Sequence, residues 1–97
     1  MNLSNFTTPF LTDVRDCLRR LNNSPDSFEG PSLAFHISRS FKTNPLLQSD
    51  SYLLLVTICD NLGFPQVLKA NYRYGEAQRL LSAITIYIIN QELKSRQ

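Results

Sequence analysis

The stretch 75–94 contains no proline, and no glycine after its first residue, so nothing in it interrupts a continuous element. Two conformations compete for it. Ile84, Thr85, Ile86, Tyr87, Ile88 and Ile89 are β-branched or aromatic and suit a strand. The flanks, Glu76 to Leu81 before and Gln91 to Lys94 after, are mostly strong helix formers. Length decides, because a strand averages roughly 5 to 6 residues and an unbroken run of this size is ordinary only for a helix.

Wound at about 100° per residue, the helix gathers Ala77, Leu80, Leu81, Ile84, Tyr87 and Ile88 into one broad stripe, which is expected to face the core. Ile86, Ile89 and Leu93 stand at spacings of three and four on nearly the opposite side, flanked by Arg79, Ser82 and Asn90. On a lone subunit that second stripe would meet water. It is therefore the expected partner-binding surface.

A chain of 97 residues fits one domain, 1–97, with a single core. Hydrophobic and charged fractions of 42% and 19% belong to a folded globular protein. The net charge is only +2, but beyond Asp60 the basic residues Lys69, Arg73, Arg79, Lys94 and Arg96 face only Glu76 and Glu92. Residues 1–8 carry no positive charge and no apolar run of the secretory kind, and the longest strongly apolar run, 52–58, is far short of the roughly 20 residues of a membrane span. A cytoplasmic protein without membrane contact is expected. In that setting Cys17 and Cys59, both among apolar neighbours, read as buried thiols rather than a disulfide.

Thr8 as N-cap and Pro9 at the first helical position open an expected first helix. Its apolar side is Phe10, Val14, Cys17, Leu18 and Leu21, widened by Leu11. Turn formers then crowd 22–31. Pro31 and Ser32 open a second helix carrying Leu33, Ala34, Ile37 and Phe41 on one side, although Leu33, Phe35 and Ile37 also alternate as in a short strand. Ser49, Asp50 or Ser51 caps a third helix, 52–62, ended by Gly63. It is apolar nearly all round, so it is expected at the centre. Pro65 begins a short helical turn, and 72–75 leads into the final helix.

Few residues offer chemistry. His36 is the only histidine, and with Cys17 and Cys59 it gives three ligands at spacings unlike metal motifs, so no metal and no cofactor is expected. Gly30, Gly63 and Gly75 are too scattered for a phosphate-cradling loop, and no carboxylates lie close enough in sequence to suggest acid and base work. A cysteine nucleophile would need an accessible, electropositive setting, whereas both thiols fall on expected core faces. The chain is not expected to be an enzyme.

Lys69, Tyr72, Arg73 and Tyr74, with Arg79 a little further on, could pair with phosphates and stack on bases. Thr57 to Tyr72 also has a faint helix-turn-helix outline with Gly63 in its turn, spoiled by Lys69 where an apolar contact is needed. The small net charge favours the plainer meaning, with the tyrosines filling a helix junction and the basic groups solvated. Arg15, Arg19 and Arg20 are interleaved with Asp13 and Asp16 and read as a solvated face.

The resulting expectation is an all-α bundle of four main helices around a central apolar one; the alternative is an α+β domain with strands at 33–37, 53–58 and 84–89. The expected function is a non-enzymatic protein-protein interaction or regulatory adaptor module, homodimeric through Ile86, Ile89 and Leu93 and meeting another protein as well. The alternative function is nucleic-acid binding through Lys69, Tyr72, Arg73 and Arg79.

Overall fold

A computed structural model of the chain describes residues 2–23, 45–63 and 75–97. These are mostly helical and include no strand: α1 spans Thr8–Asn22, α2 Pro45–Leu62 and α3 Gly75–Ser95. The all-α expectation holds, since two of the three alternative strands, 53–58 and 84–89, lie inside α2 and α3. The third, 33–37, lies outside the described residues, as do the expected second helix and the turn after Pro65. Three helices rather than four are thus found among the described residues.

Helix α1 begins one residue earlier than expected. Thr7, not Thr8, is the N-cap: its backbone is extended and its Oγ1 accepts from the Phe10 N–H at 3.3 Å. Pro9 falls in the first turn, where its missing donor leaves no bond unmade. The buried face is Phe10, Leu11, Val14, Cys17 and Leu18, with Leu21 partly covered, as the spacing predicted. At the far end the Asn23 N–H closes the helix on the carbonyls of Arg19 and Arg20, each at 3.2 Å.

Helix α2 departs further from expectation. It starts at Pro45, well before the predicted caps at 49–51, because a proline at the first helical position has no amide to leave unpaired. It ends as predicted, with Gly63 in the left-handed region at φ 79°. Its burial is one-sided. Ser51, Leu54, Leu55, Ile58 and Cys59 face inward, whereas Tyr52 and Leu53 are about half exposed, so α2 is not an element enclosed on several sides.

The tight pair is α1 with α3. Arg15 Nη1 donates to Asn90 Oδ1 at 3.2 Å, and at the other end Arg96 Nη1 donates to Thr8 Oγ1 at 3.1 Å. Residue numbers rise along one helix as they fall along the other, so the two are antiparallel. Leu81 and Ile89 of α3 join the α1 face and Leu54, Leu55, Ile58 and Cys59 of α2 in one core.

The segment before α1 belongs to that core, although nothing in its sequence had marked it. Asn2 Oδ1 accepts from the Ser4 N–H at 2.9 Å and Leu3 O from the Phe6 N–H at 3.0 Å, so the chain turns on itself and buries Leu3 and Phe6. The Phe6 ring stacks on Phe10 with centroids 5.5 Å apart.

Candidate functional site

The rotation of α3 about its axis differs from the one its hydrophobic pattern implies. Its inward side carries Gln78, Leu81, Ser82, Thr85 and Ile89, all within 1% of full burial. Short side chains let α1 approach closely there, and Thr85 satisfies its own hydroxyl by donating to Leu81 O at 2.7 Å. The assignment of Ile86, Ile89 and Leu93 to a free surface is therefore corrected. Ile89 is fully buried within the subunit, and Ile86 and Leu93 are partly buried against the core. Two members of the stripe expected to face inward, Leu80 and Tyr87, instead stand 55% and 64% exposed.

The Ser82 hydroxyl is the one side-chain group on the inward face of α3 found to be buried with no hydrogen-bond partner. Alanine there removes an unsatisfied group and improves helix propensity, so Ser82→Ala should raise the unfolding free energy by about 1 kcal/mol. Urea denaturation measures it, and a loss of stability would mean the hydroxyl is bonded in solution.

The outward side of α3 runs through Leu80, Ala83, Tyr87 and Gln91, with Ile84 and Ile88 half-buried on its shoulder. Beside it lies an open groove of about 350 Å³ lined by Leu3, Tyr87, Ile88, Gln91, Glu92 and Ser95. The rim's polar atoms are largely engaged. Glu92 Oε2 accepts from Arg96 Nε at 3.0 Å, and Ser95 Oγ donates to Glu92 O at 2.7 Å. Whatever enters would be held mainly by Leu3, Tyr87 and Ile88.

Of the residues expected to touch nucleic acid, Lys69, Tyr72 and Arg73 lie outside the described residues, and Arg79 is on the exposed side of α3. The arginine patch on α1 is tied into local pairs: Asp16 Oδ1 lies 3.3 Å from Arg15 Nε and 4.0 Å from Arg19 Nη1. Such exposed pairs contribute little to stability.

Both cysteines are buried thiols with no disulfide. Burial, and secondarily the charge of Asp60, pushes the Cys59 thiol from 9.0 up to about 11. A thiol so held is mostly protonated at neutral pH, the reverse of what a nucleophile requires. As pH rises past 9.0 the unfolded chain loses a proton that the folded chain keeps, so stability intact below that pH declines toward about 11. Unfolding free energies of the native chain should fall by roughly 1.5 to 2 kcal/mol more than those of Cys59→Ala between about pH 8.5 and 10.5. Equal slopes would show that the Cys59 thiol titrates normally.

Among the described residues no helix is long and apolar enough to cross a membrane. Compared with known proteins, the chain matches no family model, no curated sequence and no solved structure.

Proposed function

We propose that this chain is a non-enzymatic interaction module that self-associates as a homodimer through the outward face of α3. The observation that carries this reading is the exposure of Leu80 and Tyr87, seven residues apart on one helix, at 55% and 64%. Positions 80, 83, 84, 87, 88 and 91 are all uncharged, so two copies brought together on this face oppose no like charges. A second copy also offers the same apolar patch in return.

Area sets the strength. One helix face of this kind presents a few hundred Å², about the largest patch a monomer leaves bare and short of the roughly 800 Å² per partner of a permanent complex. The association is accordingly weak and concentration-dependent.

Mass measured by sedimentation across a wide concentration range tests it. The native chain should shift from monomer toward dimer, and Leu80→Ser combined with Tyr87→Ser should remain monomeric with its helical signal unchanged. A native chain that is monomeric at every concentration would refute the proposal.

A further inference from the structure

Leu80 projects from the same helix that forms the groove, and we infer that in the homodimer each fills the other. Two α3 helices pack antiparallel about a twofold axis near Thr85 and Ile86, and Leu80 of each copy enters the groove of the other. This deepens the homodimer reading and rests on it.

Ile88, Gln91, Glu92 and Ser95, which line the groove, follow the spacing i, i+3, i+4, i+7. Four helix positions so spaced form the socket that a side chain from a crossing helix occupies in knobs-into-holes packing. Leu3 and Tyr87 wall the socket, and its volume of about 350 Å³ accommodates an aliphatic side chain. Because Glu92 and Ser95 are bonded to Arg96 and to each other, a hydrocarbon entering it displaces few polar partners.

The direction of pairing follows from filling the sockets. Leu80 lies some 17 Å along the axis from the middle of the groove, at about 1.5 Å per residue. An antiparallel twofold midway between them brings each Leu80 to the opposite groove and sets Ile84 of one copy against Tyr87 of the other. A parallel pair would set Leu80 on Leu80 and leave both grooves empty. The dimer interface has an area well below that of permanent complexes, so its apolar faces must be used fully, and only the antiparallel arrangement does so.

Cysteine cross-linking at concentrations where the native chain is dimeric by mass tests the arrangement. The native thiols are buried, so the native chain oxidised alone is the background. A mixture of Leu80→Cys and Gln91→Cys chains should yield the mixed disulfide dimer, and Leu80→Cys alone should yield little. A Leu80→Cys chain that links readily to itself, or a mixture that yields no mixed product although the mass is dimeric, would overturn the antiparallel pairing while leaving the homodimer in place. A monomeric native chain would remove both. Leu80→Ala should also weaken association by roughly tenfold or more, whereas Leu53→Ala, comparably exposed on α2, should not; equal weakening by both would count against the socket.

Discussion

An Ile89→Ala chain is expected to lose about 3 kcal/mol of unfolding free energy, and to lose it equally at every protein concentration. Ile89 is fully buried in the cluster that joins the three described helices, so truncation leaves a cavity inside one subunit. Domains of this size are held by about 5 to 15 kcal/mol in total, so the change is readily seen by urea denaturation. Leu80→Ala, on the opposite side of the same helix, should change the stability of the dilute monomer by less than about 0.5 kcal/mol. The two substitutions together assign the faces of α3. A small loss at Ile89 with a large one at Leu80 would mean the helix is turned the other way.

Arg96→Ala is expected to cost about 2 kcal/mol. The guanidinium donates to Leu3 O at 2.9 Å, to Thr8 Oγ1 at 3.1 Å and to Glu92 Oε2 at 3.0 Å, so one side chain ties the end of α3 to the segment preceding α1. Its loss releases the turn that buries Leu3 and Phe6. Amide exchange at residues 2–7 should therefore quicken more than exchange in α2. Lysine should restore little, because a single ammonium cannot reach three acceptors set for a planar fork. Unchanged exchange at 2–7 would show that apolar packing alone holds the segment.

The sequence makes α1 plain because its apolar residues form one clean stripe against charged neighbours, and a one-residue error in the cap is all that differs. The helical state of α3 was equally legible, since its flanks outweigh the β-branched middle once length is considered. Its rotation was not. Apolar side chains surround most of that helix, so hydrophobic spacing defines no single inward face. The choice falls to Ser82 and Thr85, whose small size permits close packing, and to the polar ties of Asn90 and Arg96. Those ties join residues far apart in the chain, a relation that no local pattern encodes. The candidate surface shifted with the rotation, from Ile86, Ile89 and Leu93 to Leu80 and Tyr87. Likewise Leu53 and Tyr52 raised the apolar count of α2 without being covered, and Leu3 and Phe6 were too short a run to signal burial.

The seam between α1 and α3 also governs how quickly this protein can assemble. Its bonds span separations as large as 93 residues, whereas helical domains usually fold within microseconds to milliseconds because their contacts are local. Here the first helix finds its mate only after nearly the whole polypeptide has been drawn into a loop, a closure that costs entropy before any packing compensates it. Refolding slower than the all-helical norm is the kinetic signature of a core fastened end to end.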